Sequence, residues 1–298
     1  MASRELTLIL SALKARGNDR AGQSVAESRR DFAAIVRLCP APPEVTVEAV
    51  DAGGVPAEWL LPPGAEPGRT LLFFHGGAYV LGSSRTHRDL AARLALEARA
   101  RTLSVDYRLA PEHPFPAAFE DALLSYRWLV HQPGVEASRL ALAGDSAGAG
   151  LALAALAWLG RAGEPAASAV ACLSPWVDLA GEGDSLKTLA AVDPVIQEPY
   201  LRKTAALYLG SADPYDPRAS PLHAELAGLP PTLLQVGSCE TLLDDSRRFA
   251  ERARAAGVEV ELEIWPEMLH GWQLYARLLP EGREAIARAG RFLAQRLG

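Results

Sequence analysis

The sequence LALAGDSAGAGLALAALAWL at residues 140–159 decides the fold. Its first four residues form a short apolar run typical of a buried strand, and residues 147–162 are rich in Ala and Leu, which favours a helix. The pentapeptide GDSAG at residues 144–148 joins the two, and its glycines allow the backbone to turn sharply. We therefore expect a strand, a tight turn with Ser146 at its apex, and a helix.

The same alternation of strand and helix extends on both sides of this turn. Strands are expected at 45–50, 55–61, 71–74, 102–105, 140–143, 169–173, 232–236 and 258–264. Helices are expected at 86–98, 117–131, 147–162, 241–256 and 281–297. Such alternation predicts an α/β fold, with a mostly parallel sheet flanked by helices.

Two segments stand outside the alternation. Residues 1 to about 38 are expected to be helical, and prolines at 40, 42 and 43 end that region. We therefore divide the chain into an N-terminal segment at 1–43 and a main α/β domain at 44–298. Residues at about 180–228 interrupt the domain between two strands and contain a helical piece near 199–209. An insertion of this size is a candidate lid.

Composition excludes several classes of function. The net charge of −6 argues against a nucleic-acid partner, which requires clustered Lys and Arg. The cysteines Cys39, Cys172 and Cys239 lack metal-ligand spacing and are expected to be reduced thiols. The first residues lack the apolar core of a signal peptide, and no apolar run is long enough to span a bilayer. We expect a cytoplasmic protein with no membrane partner.

The turn at residues 144–148 fits the pattern G-x-S-x-G in the context that gives this pattern meaning, directly after a strand and directly before a helix. The hydroxyl of Ser146 would be raised above the sheet, at the positive end of the helix dipole. Ser146 is therefore the candidate nucleophile.

A second motif, HGGAY at residues 75–79, follows the strand at 71–74. Backbone N–H groups directed at a developing oxyanion stabilise an acyl-transfer transition state, and glycine lets the backbone approach closely. We expect the N–H groups of Gly76, Gly77 and Ala147 to form this oxyanion hole.

The nucleophile needs a base, and in this architecture the base follows the serine and the acid along the chain. His223 and His270 both lie downstream of Ser146. His270 falls in a loop between the last strand and the last helix, whereas His223 falls within the insertion. We take His270 as the base.

The acid should lie on the loop that leaves the strand at 232–236. Glu240 holds that place, and Asp244 follows one helical turn later. The pair Thr241 and Asp244 also reads as a capping pair at a helix start, which gives Asp244 a structural explanation. Glu240 is the candidate acid, and Asp244 remains the alternative.

These motifs resemble those of the bacterial hormone-sensitive-lipase-like (family IV) esterases of the α/β-hydrolase superfamily. The match includes GDSAG, HGG-A-Y and the specific run DYRLAPEHPFPA at residues 106–117, and it extends from about residue 70 to the last helix. The resemblance implies an eight-stranded sheet with a helical cap formed by the N-terminus and the insertion. It also implies short- to medium-chain acyl esters as substrates and leaves Arg108, Glu112 and His75 as structural residues.

Two departures from the family pattern are visible. Ala78 stands where the family usually has a third glycine after the histidine, and Glu240 stands where the family usually has aspartate. A glutamate reaches further than an aspartate, and one branch of the family carries it. The role of Asp145, which precedes the nucleophile, has no account at this level.

The substrate is expected to be a small-molecule ester held in an apolar pocket. By their positions, we expect its walls to be formed by Tyr79, Trp176, Tyr200, Leu207 and Tyr208. No motif for a metal or a nucleotide is present, so we expect no cofactor and no metal.

Other readings stay open. The same machinery serves an amidase, a formamidase or a peptidase, and related folds have been converted into small-molecule receptors. Such receptors typically lack the downstream histidine, which is present here as His270. A homodimer could form through the edge strand at 258–264.

Overall fold

The structure is a computed structural model that describes residues 3–16, 22–36 and 40–298. Cys39, one of the expected thiols, lies outside the described residues. The strands are β1 (Thr46–Asp51), β2 (Pro56–Leu61), β3 (Thr70–Phe74), β4 (Arg101–Val105), β5 (Leu140–Asp145), β6 (Ala169–Leu173), β7 (Thr232–Gly237) and β8 (Val260–Trp265).

The helices of the described residues alternate with these strands after an N-terminal pair. They are α1 (Arg4–Arg16), α2 (Val25–Val36), α3 (Arg88–Ala98), α4 (Ala117–Val130), α5 (Ala147–Arg161), α6 (Ser185–Thr188), α7 (Glu198–Leu209), α8 (Leu243–Ala255) and α9 (Pro280–Arg296). None of the described helices combines the length and the apolar character that crossing a bilayer requires.

The strands form one eight-stranded sheet in the order β1-β2-β4-β3-β5-β6-β7-β8. The pairs β1–β2 and β2–β4 are antiparallel, and the remaining pairs are parallel. The expectation of a mostly parallel α/β sheet is confirmed. Because the carboxyl ends of β3, β5, β7 and β8 lie at the same edge, the loops that follow these strands meet there.

Alternate residues of the central strands face opposite helical layers, as the two-residue period of a strand requires. Leu72 and Phe74 of β3 and Leu142 of β5 pack in one core with residues of α4, α5 and α8. Leu71 and Phe73 pack in a second core with residues of α3 and α9. Side chains buried in this way contribute about 1.5–3 kcal/mol each, so the sheet is a rigid base for the loops at its edge.

The first helix packs against a loop at the carboxyl edge of the sheet. Leu6, Ile9 and Leu13 of α1 lie on one face of the helix and are buried in a cluster with Met268 and Leu269. The α1 helix therefore covers the segment directly before His270.

The second helix is fixed by one arginine. Arg29 of α2 donates through Nη1 and Nη2 to both carboxylate oxygens of Glu112, each at 2.7 Å. Its Nε donates to the carbonyl oxygen of Val80 at 2.8 Å, and Nη2 also donates to that of Ala110 at 3.0 Å. Arg29 thereby joins α2 to the loop after β3 and to the YRLAPE run at residues 107–112.

One local prediction is wrong. Thr241 does not cap α8, which begins at Leu243 and has no side-chain cap. Its backbone N–H and its hydroxyl donate instead to Asp193 of the insertion, at 2.8 and 3.1 Å. The carboxylate of Asp244 accepts the N–H of Ser185 at 2.8 Å. Contacts from the insertion thus replaced the local capping that the sequence indicated.

Candidate active site

Ser146 lies in the turn between β5 and α5, with φ of 51° and ψ of −118°. A positive φ is strained for a residue with a Cβ, and such strain concentrates at functional sites. Glycines on both sides permit the close packing of this turn. A Cβ at Gly144 would lie 2.5 Å from the carbonyl carbon of Gly148, and one at Gly148 would lie 2.1 Å from the carbonyl oxygen of Phe74.

The side chains of Ser146, His270 and Glu240 form a chain of contacts above the sheet. His270 Nε2 lies 3.0 Å from Ser146 Oγ, and His270 Nδ1 lies 2.9 Å from Glu240 Oε2. Ser146 follows β5, His270 follows β8 and Glu240 follows β7. The structure therefore brings together the three residues that the sequence selected for the catalytic roles.

Burial and hydrogen bonding compete at the Glu240–His270 pair. Burial raises the pKa of Glu240, and the contact with His270 opposes that increase without cancelling it. Burial by itself would lower the pKa of His270, but the hydrogen bond and the charge of Glu240 outweigh it, so the pKa of His270 is raised. The pair thus favours a protonated imidazole more than water does.

Ser174 is part of this arrangement, although the sequence did not single it out. Its hydroxyl donates to Glu240 Oε1 at 2.7 Å and accepts the N–H of Gly271 at 3.2 Å. The N–H of Gly237 also donates to Glu240 Oε1, at 2.6 Å. Ser174 follows β6 and is fully buried, so it orients the carboxylate and supports the loop that carries His270.

Asp244 is placed away from His270. Its carboxylate accepts the N–H of Ser185 and lies 3.6 Å from a guanidinium nitrogen of Arg247. Of the two candidate acids, Glu240 is the one in contact with the imidazole.

The oxyanion loop, defined here as residues 75–79, requires one correction. The N–H of Gly76 donates to Asp145 Oδ1 at 2.9 Å, so it is occupied and does not point to a substrate oxygen. Gly77 and Ala78 line the same cavity as Ser146. Among the described residues, the N–H groups of Gly77, Ala78 and Ala147 donate to no acceptor. The N–H of Ala78 is therefore available in this cavity, whereas that of Gly76, which we expected there, is not.

The departure at Ala78 is accommodated by the backbone. Ala78 and Tyr79 have φ of 53° and 62°, in the left-handed region that glycine enters most readily. Gly77, with φ of 124°, cannot be replaced by a residue with a side chain, because a Cβ there would lie 2.0 Å from the carbonyl oxygen of Leu81.

His75 and the charged residues of the YRLAPE run have structural contacts. His75 Nδ1 lies 2.8 Å from the carbonyl oxygen of Gly76, and burial, followed by the neighbouring His87, lowers the pKa of His75 to about 4. Arg108 donates to Asp121, and Glu112 accepts from Arg29 of α2. None of these three residues contacts the Ser146–His270 pair.

A cavity of about 960 Å³, including its open mouth, lies between the sheet edge and the N-terminal and inserted helices. Ser146 and His270 line it, together with apolar side chains that the sequence did not select. Those side chains include Phe32 of α2, Val195, Ile196 and Leu201 of the insertion, and Leu274 and Tyr275 after His270. They lie on separate segments, so no local pattern could have gathered them.

Of the five expected wall residues, only Tyr200 lines this cavity. Tyr79 and Tyr208 are buried and stack on each other at 3.9 Å between ring centroids, and Trp176 packs 6.0 Å from Tyr79. Leu207 lines a smaller cavity beside Lys203. The expectation is therefore corrected at four positions: Tyr79, Trp176 and Tyr208 pack on each other, and Leu207 lines the smaller cavity.

One cluster in the described residues has the composition of a metal site. Ligand atoms of Asp178, Glu182 and His223 lie within 4.8 Å of one another. The guanidinium of Arg248 already pairs with both carboxylates of this cluster, at 2.6 Å to Asp178 and 3.1 Å to Glu182. These residues are thus organised as an ion-pair network.

The sheet and the loops at its carboxyl edge define the protein as an α/β hydrolase. The sequence profile described as alpha/beta hydrolase fold matches residues 71–274. An acetyl-hydrolase of Streptomyces hygroscopicus is 47% identical over 303 residues, covering 100% of this chain and 99% of that protein. An esterase of Acinetobacter venetianus is 38% identical over 261 residues, covering 87% and 85%.

Solved structures agree with these relatives. A crystal structure of an esterase from the bacterial hormone-sensitive lipase family has a TM-score of 0.96 and 46% identity, with 100% of both chains covered. A crystal structure of an esterase/lipase from an uncultured bacterium has a TM-score of 0.94 and 40% identity, with 99% of both covered. The chain belongs to the bacterial hormone-sensitive-lipase-like (family IV) esterases, and its enzyme class is carboxylic-ester hydrolase.

Proposed function

We propose that this protein hydrolyses carboxylic esters with short- to medium-chain acyl groups, using Ser146 as nucleophile, His270 as base and Glu240 as acid. The observation that carries the proposal is the pair of contacts at His270, 3.0 Å to Ser146 Oγ and 2.9 Å to Glu240 Oε2. A nucleophile and its base within hydrogen-bond reach, with the base oriented by a third group, is the arrangement that nucleophilic acyl transfer requires.

In the first half of the proposed reaction, Ser146 Oγ attacks the ester carbonyl carbon while His270 Nε2 takes the hydroxyl proton. The carbonyl oxygen becomes an oxyanion, which accepts hydrogen bonds from the N–H groups of Gly77, Ala78 and Ala147. The C–O bond of the ester then breaks, and His270 returns the proton to the leaving alcohol.

In the second half, the acyl group is transferred to water. His270 removes a proton from the water as it attacks the acyl carbon, and the proton then passes to Ser146 Oγ as the acyl–serine bond breaks. Glu240 keeps its position and stabilises the imidazolium that forms in each half. No cofactor enters this sequence.

The size of the acyl group is proposed from the cavity. Phe32 of α2 and Ile196 and Leu201 of the insertion line the same cavity as Ser146, and they offer apolar surface to an acyl group. An acyl chain of a few carbons gains burial in such a space, and a long chain meets these side chains. The name acetyl-hydrolase, borne by the relative from Streptomyces hygroscopicus, is compatible with a small acyl group.

The test is a panel of p-nitrophenyl esters from acetate to dodecanoate, with matched p-nitroanilides of the same acids. We expect kcat/KM to be highest at two to six acyl carbons and to fall by roughly tenfold or more at dodecanoate. Anilides should react far more slowly than their esters. Faster anilide hydrolysis would assign an amidase, and saturable binding of esters without turnover would assign a receptor.

We also propose that the protein works in a reducing compartment, the cytoplasm. The described cysteines, Cys172 and Cys239, are free thiols, and burial raises the pKa of Cys172, which keeps it unreactive. Cell fractionation followed by thiol labelling tests this location. Recovery of the protein outside the cytoplasm with Cys239 oxidised would contradict it.

A homodimer is the remaining proposal about partners. The strand β8 lies at the edge of the sheet and pairs with β7 alone among the described strands, and Ile264 on it is exposed. A second copy of β8 could extend the sheet. Sedimentation of wild type and of an Ile264→Lys variant distinguishes a dimer that uses this edge from a monomer.

A further inference from the structure

Asp145 connects the two halves of the oxyanion hole. It directly precedes Ser146 at the end of β5, and its Oδ1 accepts the N–H of Gly76 in the oxyanion loop at 2.9 Å. Ala147, which supplies one amide of the hole, lies two residues after Asp145. Gly77, which supplies another, directly follows Gly76. One buried carboxylate therefore links the turn that carries the nucleophile to the loop that carries the other donors.

The fit between this carboxylate and the loop is close. A Cβ at Gly76 would lie 2.2 Å from Asp145 Oδ2, so only a glycine allows the backbone to approach this far. The loop is held on its other side by Tyr107, whose hydroxyl donates to the carbonyl oxygen of His75 at 2.6 Å. The Gly76 N–H is thus directed by Asp145, and the adjacent residue, Gly77, lines the cavity.

His87 faces the second oxygen of the same carboxylate. Its Nε2 lies 3.4 Å from Asp145 Oδ2, and its side chain is fully buried. The His87 ring packs between Phe32 of α2 and His75, with centroid distances of 5.4 Å to each, and Nδ1 lies 2.9 Å from Thr86 Oγ1. Neighbours on both sides therefore fix the imidazole next to the carboxylate.

These contacts explain why a carboxylate can occupy this buried place. Burial alone would raise the pKa of Asp145, but His87 and the N–H of Gly76 outweigh it, so the pKa of Asp145 is lowered. The acid stays ionised and accepts the Gly76 N–H strongly, because a charged acceptor makes a stronger hydrogen bond than a neutral one.

We infer that Asp145 is a positioning residue for the oxyanion hole. The inference rests on the proposed function, since it requires acyl transfer at Ser146. An oxyanion exists only in and around the transition state, so a misplaced hole lowers kcat and leaves ground-state binding nearly unchanged.

The experiment compares p-nitrophenyl acetate with its thiono analogue, in which sulfur replaces the carbonyl oxygen. Sulfur accepts hydrogen bonds weakly, so the thiono substrate gains little from the hole. The variants are Asp145→Ala and Asp145→Ser, which cannot reach the Gly76 N–H, and Asp145→Asn, which keeps an acceptor oxygen. Each is titrated with an organophosphonate so that rates refer to active protein.

The matched control is Asp121→Ala. Asp121 is also a buried acid that accepts a backbone N–H, that of Arg108 at 2.8 Å, but it lies outside the cavity. Its loss should lower the melting temperature and leave the ratio of the oxo to the thiono rate at the wild-type value.

For Asp145→Ala and Asp145→Ser we expect kcat/KM on the oxo ester to fall on the order of 10²-fold and the oxo-to-thiono ratio to fall about tenfold or more. KM should stay near the wild-type value. Asp145→Asn keeps an acceptor oxygen but loses the charge, so its oxo-to-thiono ratio should fall by a smaller factor, about threefold.

Equal loss on both substrates in the Ala and Ser variants would overturn the inference, and so would an unchanged ratio with rates near wild type. If neither of these variants folds, Asp145→Asn decides the question. A lower oxo-to-thiono ratio in Asp145→Asn, with an unchanged ratio in the Asp121→Ala control, would support positioning by the charge. A wild-type ratio there would contradict it. A wild-type enzyme that does not hydrolyse p-nitrophenyl acetate would instead remove the proposed function.

Discussion

Glu240 Oε2 lies 2.9 Å from His270 Nδ1, whereas the carboxylate of Asp244, four residues later, is bound to the N–H of Ser185. The longer side chain of glutamate reaches the imidazole from the loop that leaves β7. Ser174 and the N–H of Gly237 occupy its second oxygen, so the carboxylate is held in one orientation. Of the two carboxylates that the sequence offered, the one in contact with the imidazole is that of Glu240.

We therefore expect Glu240→Ala to lower kcat by about 10³- to 10⁴-fold, as loss of a triad acid does, because the imidazole loses both its orientation and its counter-charge. Asp244→Ala should stay within about threefold of wild type in kcat and cost about 0.5–1.5 kcal/mol of stability, since it removes the hydrogen bond from Ser185 and a half-exposed ion pair with Arg247. Steady-state kinetics and thermal unfolding measure the two effects. The reverse ranking in kcat would reassign the acid.

The pH dependence of kcat/KM should report His270. The base must be neutral, and its pKa is raised because Glu240 outweighs the effect of burial. Activity should therefore decline as pH falls, with a midpoint above the ordinary histidine value of about 6.5. In Glu240→Gln the carboxylate charge is absent and burial dominates, so the midpoint of the residual activity should move to lower pH. An unchanged midpoint in Glu240→Gln would show that Glu240 does not set the pKa of the base.

Ser174→Ala should lower kcat by about tenfold without a matching change in KM. The variant leaves Glu240 Oε1 with one donor fewer and frees the N–H of Gly271 beside His270. Loss of a hydrogen bond to a charged group costs about 1.5–3 kcal/mol. Rates that match wild type, measured with protein of unchanged melting temperature, would show that the carboxylate is positioned without this hydroxyl.

Arg29→Ala should release α2 from Val80, which directly follows the oxyanion loop, and from Ala110 and Glu112. We expect the melting temperature to fall and the free energy of unfolding to decrease by about 1–2 kcal/mol. The decrease comes mainly from the lost hydrogen bonds to the carbonyl oxygens of Val80 and Ala110. KM for esters should rise, because Phe32 on the same helix lines the cavity.

The matched control for this variant is the exposed neighbour Arg30→Ala, which should leave both values unchanged. Equal effects of the two substitutions would mean that α2 is held by its apolar face instead.

The residues that could be predicted from the sequence are those whose roles follow from local pattern and chain order. Ser146 lies in a turn with glycines at fixed spacing, and Glu240 and His270 follow the strands that end at the same edge. The sheet was predicted for a similar reason, since each strand is a short apolar run between turns. These features depend on neighbours along the chain.

The residues that the sequence misplaced depend on distant partners. Gly76 has the pattern of an oxyanion donor, but its N–H is taken by Asp145, 69 residues later. Thr241 has the pattern of a helix cap, but its hydroxyl donates to Asp193 of the insertion instead. Tyr79 follows the glycines and was expected in the cavity, yet it stacks on Tyr208 behind it. In each case a tertiary contact outweighed the local preference.

The central claim is that Ser146 is the nucleophile. The most direct measurement is peptide mapping by mass spectrometry after reaction with a p-nitrophenyl alkylphosphonate, alongside residual esterase activity. The account predicts one phosphonyl group per chain on the peptide that contains Ser146, loss of activity in proportion, and no label in Ser146→Ala. A label on a different residue, or full activity in Ser146→Ala, would contradict it.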